Sequence, residues 1–436
     1  MPLTRRELLR MSLATGVAFA MPSWLSAAGA SPSPTWTRRL VLVELDGGND
    51  GLNTIIPYDD YATYDAKRPT LAVPESGLRA LAGVPSIRLN YNLVDGPGSE
   101  RFRRLWNNGE LAIALGVGMP DQSRSHFRGI DVWNSGSSAG TVWNTGWLQR
   151  SLTAAAGITA DTVAHGAILS RTTSNPLAGP DVNVLALSKS DPWDSYAETF
   201  IGQAEDLAAA PIAGTEALQH VLRVQSGIIT ARSQLDDRFA WDPLLNDDHG
   251  QATAMPVFTG DSGNALFPSG DFGNQCRAVA QMIAADVGIP VYKIHIGGFD
   301  NHAGQRAKHD DLLAQLAHGL TGLRDALQDK GRLADTLIMT YSEFGRRVEE
   351  NGSAGTDHGT LAPHVLISDA SNFSGANRLH GTYPSLTALD GRGDLAWVDG
   401  TSIDYRRLYA TALRFLGMPE DVFDATYAPL TGLLTA

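Results

Sequence analysis

Short apolar runs, each followed by glycine or polar residues, recur along the chain. Five of them predict β-strands, at residues 40–45, 111–116, 291–296, 336–341 and 364–367. Nearly continuous apolar runs of this length are typical of parallel strands that are covered on both faces. The pattern therefore indicates a buried sheet rather than a sheet with one face in solvent.

Helical periodicity fills two of the intervals between these runs. Residues 275–287 predict one helix, and a second interval carries leucines at three- and four-residue spacing that form one apolar stripe. These are Leu312, Leu313, Leu316, Leu320, Leu323 and Leu327. Strands that alternate with helices predict right-handed crossovers and an α/β fold of three layers, with helices on both faces of a mostly parallel sheet.

The region from about 130 to 270 has a weaker pattern. It contains a helical stretch near 204–238 with Gly- and Pro-rich connections around it. We interpret this region as a cap or insertion beside the main sheet. The sequence thus predicts a single α/β domain over residues 31–436 rather than two independent domains.

Residues 1–30 have the features of a twin-arginine signal peptide. Arg5 and Arg6 lie in a basic start, an apolar stretch covers residues 11–25, and small residues follow at 27–30. The apolar stretch is shorter than the roughly 20 residues that a spanning helix needs. We expect export of the folded chain by the twin-arginine translocase to the periplasm or the exterior. The alternatives are a flexible N-terminus with two adjacent arginines by chance, or an uncleaved anchor.

Composition narrows the classes of partner. Without residues 1–30 the formal charge changes from −13 to −15. An acidic chain with no basic stripe argues against nucleic-acid binding, which needs clustered Lys and Arg. The single cysteine, Cys276, cannot form an internal disulfide and is predicted to be a buried apolar residue. No further stretch has the composition of a membrane span.

Aspartate and histidine residues follow the ends of three predicted strands. These are Asp50 after the first strand, Asp300 and His302 after 291–296, and Asp357 and His358 after 336–341. In open parallel sheets, ligands bind at the carboxyl ends of the strands. Carboxylate with imidazole suits zinc, and carboxylates with amides suit calcium, magnesium or manganese. The sequence predicts a divalent metal site, although each residue alone is more often part of a capped turn or surface pair.

Six motifs together resemble those of one protein family. They lie at residues 45–53, 125–127, 298–302, 342–346, 355–360 and 381–386. The chain resembles, over nearly all of its mature length, a large bacterial family of exported proteins of unassigned function within the alkaline phosphatase and sulfatase-like superfamily. The resemblance implies an alkaline-phosphatase-like fold with a metal held by Asp50, Asp300, His302, Asp357 and His358. His364 is either a further ligand or a core histidine.

The resemblance also implies a nucleophile, and here the chain departs from the superfamily pattern. The sulfatase cysteine motif is absent, because Arg277 and Ala278 follow Cys276. Ser125 beside His126 is the best candidate, and its alternative role is to cap the helix that follows. Arg346 or Arg128 would hold an anionic group, unless they are surface salt-bridge partners.

These observations predict a metal-dependent hydrolase of small anionic phosphate or sulfate esters. The alternative is a non-catalytic, metal-containing binding or assembly protein of the cell envelope with the same fold. The sequence at 260–263 copies the nucleophile loop of chymotrypsin-like proteases, but that fold is all-β and the alternation of strands and helices argues against it.

Overall fold

The structure of the protein is a computed structural model. It describes residues 36–96, 100–141, 143–155, 164–169, 175–179, 182, 184–186, 266–284, 286, 288–375 and 378–435. The predicted signal peptide, the helical stretch near 204–238 and the protease-like sequence at 260–263 lie outside the described residues.

The described strands form a large central sheet and a small one. In chain order they are β1 (Arg39–Asp46), β2 (Ile55–Pro57), β3 (Leu78–Leu81), β4 (Val84–Asn90), β5 (Leu111–Gly118), β6 (Gly166–Ile168), β7 (Val184–Ala186), β8 (Val291–Gly297), β9 (Thr336–Tyr341), β10 (Ala362–Ile367), β11 (Leu379–His380) and β12 (Ile403–Asp404). The central sheet has the order β11-β5-β10-β9-β1-β8-β6-β7, with β12 beside β5, and the small sheet has the order β2-β4-β3.

The described α-helices connect and cover these strands. They are α1 (Gly51–Thr54), α2 (Tyr61–Lys67), α3 (Arg101–Asn107), α4 (His126–Ser135), α5 (Trp147–Ala154), α6 (Asp271–Ala284), α7 (Gln305–Asp329) and α8 (Tyr405–Leu416). Short 3₁₀ turns occur at Tyr58–Asp60, Glu75–Gly77, Tyr91–Leu93 and Ala370–Asn372.

All strands of the central sheet except β10 run in one direction. Strand β1 pairs in parallel with β8 and β9, and β6 pairs in parallel with β8 and β7. Strand β10 is antiparallel to both β9 and β5, because the segment between β9 and β10 contains no helix that would carry the chain across the sheet. The prediction of an α/β fold with a mostly parallel central sheet is confirmed.

Helices cover both faces of this sheet, which gives the predicted three layers. Val41, Val43 and Leu45 of β1 face a core shared with α3, α6 and α7. Leu40 and Leu42 face a second core that contains residues of α4, α5 and α8. The two sets alternate because successive side chains of a strand point to opposite faces.

The predicted helices at 275–287 and around the leucine stripe correspond to α6 and α7. Five leucines of the stripe are buried in the first core, and Leu312 packs at its margin. Cys276 is buried in α6, as predicted.

Part of the region predicted to be a cap belongs to the central layers. Strand β6 pairs with β8, β7 pairs with β6, and α5 packs in the second core. Residues 187–265 lie outside the described residues, so a cap there stays a prediction. Among the helices that the structure describes, none is both long and apolar enough to cross a membrane.

An ion pair lies within the sheet on the side of the second core. Lys293 Nζ of β8 lies 2.8 Å from Glu44 Oε2 of β1, and both side chains are almost wholly buried. Burial raises the pKa of Glu44, and the charge of Lys293 opposes that rise. The two charges therefore stabilise each other within the sheet.

We expect Glu44→Met alone to destabilise the fold by roughly 3–5 kcal/mol, because it leaves a buried ammonium without its counter-ion. The double variant Glu44→Met/Lys293→Met should recover most of this loss, since neither charge remains. Urea denaturation of the three proteins measures the difference. Equal stability of the single and double variants would contradict this account.

Candidate metal centre

One edge of the central sheet gathers the loops that carry the candidate residues. Strands β1, β8 and β9 are parallel, so their carboxyl ends meet there. Strand β5 runs the same way, because two antiparallel pairings separate it from β9. The segment after β5 leads into α4, whose first residue is His126. Four separate stretches of chain therefore meet at this edge.

The guanidinium of Arg346 joins three of these loops. It is 2% exposed. Nε donates to Gly48 O at 2.7 Å, and the terminal nitrogens donate to Thr356 O at 2.9 Å and Phe299 O at 3.2 Å, and to Gly47 O. One terminal nitrogen also donates to Asp300 Oδ1 at 2.7 Å. Its donors are thus directed at the protein, which gives Arg346 a structural role in place of the predicted contact with a substrate anion.

Two glycines allow the loops to approach backbone to backbone. Gly47 has φ +113°, and a Cβ there would collide with the backbone nitrogen of Asp300. A Cβ on Gly355 would collide with the backbone of His302. Any side chain at either position would push apart the loops that hold the candidate residues.

Three imidazoles and one carboxylate converge on a common point. His358 Nε2 lies 3.0 Å from His126 Nε2 and 2.9 Å from His302 Nε2. Asp300 Oδ1 lies 3.4 Å from His126 Nε2, 3.0 Å from His302 Nε2 and 3.2 Å from His358 Nε2. Ligand atoms of His126, Asp300 and His358 all lie within 4.8 Å of one another. We call His126, Asp300, His302 and His358 together the imidazole cluster.

Hydrogen bonds on the outer side fix the tautomer of two imidazoles. His358 Nδ1 lies 2.7 Å from Arg124 O, and a carbonyl only accepts, so Nδ1 carries the proton. His126 Nδ1 faces Glu343 Oε1 at 2.8 Å in the same way. In the neutral form of both rings, Nε2 therefore points a lone pair into the cluster.

Asp357 supports the third imidazole. Its Oδ1 lies 3.3 Å from His302 Nδ1 and accepts from Asn351 Nδ2 at 3.2 Å. The hydrogen bond from Asn351, then that from His302, lower the pKa of Asp357 against the effect of burial. Asp357 was predicted as a ligand, and the structure places it behind His302 rather than at the centre.

The cluster has a closed floor and an open face. Phe344 is buried, and its ring lies 4.9 Å from that of His126 and 4.7 Å from that of His358. The side chains of Asp300 and His302 are 46% and 44% exposed. Solvent and a small ligand therefore reach the cluster from the side of these two residues.

The charge states suit metal ligands. Burial acts to raise the pKa of Asp300, but the hydrogen bond and charge of Arg346 lower it to about 2. Burial lowers the pKa of His358, which favours its neutral ring. The hydrogen bond from His126 to Glu343 raises the pKa of His126, as expected when a carboxylate makes an imidazole more basic.

This arrangement fits a metal ion. Neutral imidazoles of this tautomer place lone pairs against one another and against the carboxylate, and a cation would relieve that repulsion. A tetrahedral metal with bonds of about 2.0–2.1 Å separates its ligands by about 3.3 Å, close to the distances here. Nitrogen-rich donors favour zinc or a similar transition metal over calcium or magnesium, which prefer oxygen ligands.

Asp50 lies elsewhere. It is buried and pairs with Arg68 NH1 at 2.6 Å, and Gln305 Nε2 also donates to it. Burial alone would raise the pKa of Asp50, but the charge of Arg68, followed by that of His309, lowers it. We therefore correct its predicted role: Asp50 anchors α2 to the loops and contacts no member of the imidazole cluster among the described residues.

The remaining predicted residues have other surroundings. Ser125 precedes α4, is exposed, and makes no capping hydrogen bond with its side chain. Arg128 donates to the carbonyls of Ala139 and Thr141. His364 is buried in β10 with its ring edge-on to Trp133, and burial lowers its pKa to about 3. Of the two roles predicted for His364, the structure supports the core histidine.

Glu343 and Arg124 take part in the site, although the sequence reasoning gave neither a role in it. Glu343 is buried and accepts from both His126 and the backbone N–H of Gly47. It directly follows Ser342 at the end of β9, so the rule that selected the other residues also pointed to it. Arg124 contributes through its backbone carbonyl, which no side-chain pattern signals.

The family model described as protein of unknown function (DUF1501) matches residues 113–368. No curated protein matches the chain.

The solved structures that are similar to this chain include three proteins of different origin. A protein in the alkaline phosphatase superfamily from Vibrio parahaemolyticus is 8% identical with a TM-score of 0.35. The match covers 88% of this chain and 68% of the Vibrio chain. The PsFucS1 sulfatase from Pseudoalteromonas sp. is 13% identical with a TM-score of 0.32, and the match covers 90% of this chain and 70% of the sulfatase chain. The lipoteichoic acid synthase LtaP from Listeria monocytogenes is 9% identical with a TM-score of 0.31, and the match covers 86% of this chain and 75% of the LtaP chain.

We expect Asp50→Asn to destabilise the protein at neutral pH by roughly 3–5 kcal/mol, because Arg68 keeps a buried charge without its partner. The folded pKa of Asp50 is lowered, so the stabilisation by its carboxylate is complete above the unfolded value of about 3.9 and is lost as the pH falls through the folded value. The difference in the free energy of unfolding between wild type and variant should therefore become smaller in strong acid. Urea denaturation of both proteins from neutral pH to strong acid measures this difference. A difference that does not change with pH would contradict the prediction.

Proposed function

The chain belongs to the family described as protein of unknown function (DUF1501), and on the geometry of its site we propose that it is a metal-dependent hydrolase of small phosphate or sulfate esters. The observation that carries the proposal is the convergence of His126, His302 and His358 on the Asp300 carboxylate. Zinc is the metal that this donor set favours.

His126, Asp300 and His358 would hold the metal, and His302 would face its open side. Glu343, Arg346 and the carbonyl of Arg124 would support these ligands from behind. A bound divalent metal supplies Lewis acidity and lowers the pKa of water, which gives a nucleophile near neutral pH. The residues of the chain contribute by fixing the tautomers of two imidazoles and the ionised state of Asp300 before any ligand binds.

The attacking group is either Ser125 or a water molecule. Ser125 lies beside His126 and is exposed, but among the described residues its hydroxyl has no hydrogen-bond partner that would act as a base. No Ser or Thr hydroxyl in the described part of the chain bonds a member of the imidazole cluster. This favours water, activated on the open face between Asp300 and His302.

Export through the twin-arginine pathway is part of the proposal. Arg5 and Arg6, with the apolar stretch and small residues that follow, support it. This route carries folded chains, so the imidazole cluster would assemble, and take up its ion, before the protein reaches the periplasm. The substrate would then be a small anionic ester in that compartment.

A second candidate is the non-catalytic envelope protein that binds or assembles with a partner. One observation favours it: His302 Nε2 lies as close to His358 and Asp300 as His126 Nε2 does. If all four residues bind the ion, the tetrahedral set is complete, and closed sites of this kind are structural rather than catalytic.

Metal binding is tested by elemental analysis of the exported, folded protein. We expect about one equivalent of zinc per chain in the wild type, and its loss in His126→Ala, Asp300→Ala and His358→Ala, because each removes a ligand. His318→Ala is the matched control, since this half-buried histidine of α7 lies outside the cluster. Full zinc content in the three ligand variants would refute the site.

Catalysis is tested with chromogenic phosphate and sulfate esters in the presence of zinc, manganese, magnesium or calcium. Under the hydrolase proposal, His302→Ala keeps its zinc, and His358→Ala loses both zinc and turnover. If His302→Ala loses its zinc and the wild type turns over none of these esters, the structural alternative is correct.

A further inference from the structure

A tight turn lies behind the imidazole cluster. We name it the aspartate turn, residues 389–395. The backbone N–H of Asp390 donates to Asp394 O at 2.9 Å, and Leu389 pairs with Leu395. Asp390 Oδ1 accepts the backbone N–H groups of Arg392 and Asp394 at 2.8 and 2.9 Å. These bonds fix the carboxyl group of Asp390 and the backbone of Asp394.

Both carboxyl groups hold Arg124. Asp390 Oδ2 lies 2.7 Å from Arg124 NH2, and Asp394 Oδ2 accepts from Arg124 Nε and NH2. Asp394 is fully buried, and its second oxygen lies 3.5 Å from Arg347 Nε. One buried carboxylate thus joins the loop before His126 to the loop after Glu343.

The turn reaches the cluster by two routes. The backbone carbonyl of Arg124 accepts the Nδ1 proton of His358 at 2.7 Å. Thr360, two residues after His358, donates its hydroxyl to Leu395 O at 2.7 Å. His358 is therefore held on its outer side and along the chain by groups that the aspartate turn places.

We infer that Asp394 is a positioning residue of the metal centre. By holding the Arg124 side chain it fixes the direction of the Arg124 carbonyl, which keeps the proton of His358 on Nδ1 and the lone pair on Nε2. An imidazole that loses this partner also populates the tautomer with the proton on Nε2, which cannot bind a metal through that atom. This inference rests on the proposed function, because it gives Asp394 an effect on the affinity for the ion.

Asp394→Asn keeps the size of the side chain and removes its charge. We expect the zinc dissociation constant of the full chain, measured by competition with a chelator, to rise roughly 10–100-fold, as for other residues that orient metal ligands. Asp394→Glu, which keeps the charge, should restore part of the affinity. Asp404→Asn is the matched control: Asp404 is also buried and pairs with an arginine, Arg406, but that arginine contacts no cluster residue in the described part of the chain.

The tautomer of His358 gives a second readout that needs no metal. In protein with ¹⁵N-labelled histidines, the His358 signals, assigned by their loss in His358→Ala, should show the proton on Nδ1 in the wild type. In Asp394→Asn they should shift toward the proton on Nε2. A wild type that binds no zinc refutes the proposed function, and this readout still decides the positioning role. Unchanged affinity and tautomer in Asp394→Asn, with only a lower unfolding temperature, would overturn the inference.

Discussion

The geometry of the site depends on one buried guanidinium. Arg346 donates to backbone carbonyls from the loops after β1 and β8 and from the loop that contains Thr356, and it also bonds Asp300. Buried carbonyls need donors, and a planar group with five N–H bonds satisfies several of them at once. The same contact lowers the pKa of Asp300. Loop packing and the charge of the carboxylate are thus two results of a single interaction.

Much of the fold follows from the hydrophobic pattern. The five apolar runs correspond to β1, β5, β8, β9 and β10, because strands covered on both faces are apolar at most of their positions. The direction of β10 could not be predicted from its apolar run, because a buried strand has the same continuous pattern whether it is parallel or antiparallel to its neighbours. Strands β6 and β7 are only three residues long, too short to leave a pattern.

The sequence identifies several residues of the site but not the role that each of them has. Asp300, His302 and His358 follow strand ends, and the rule for parallel sheets brings them to one edge. Asp50 follows a strand end too, but the chain turns into α1 there and directs that carboxylate at Arg68. Arg346 was expected to bind an anion. The expectation failed because a sequence does not show that backbone carbonyls will accept the hydrogen bonds of a guanidinium. Contacts made through the backbone, such as the carbonyl of Arg124, leave no trace in residue types.

The reversed direction of β10 has a consequence for how such a site can change over time. The chain leaves the sheet after β9 and re-enters it at the same edge, so residues 342–361 form an excursion between two adjacent strands, which lie about 4.8 Å apart. The exposed tip of this segment, at Gly352 and Ser353, can lengthen or shorten without altering the order of the strands or moving Arg346 and His358. New selectivity can therefore arise there while the hydrophobic interior stays untouched.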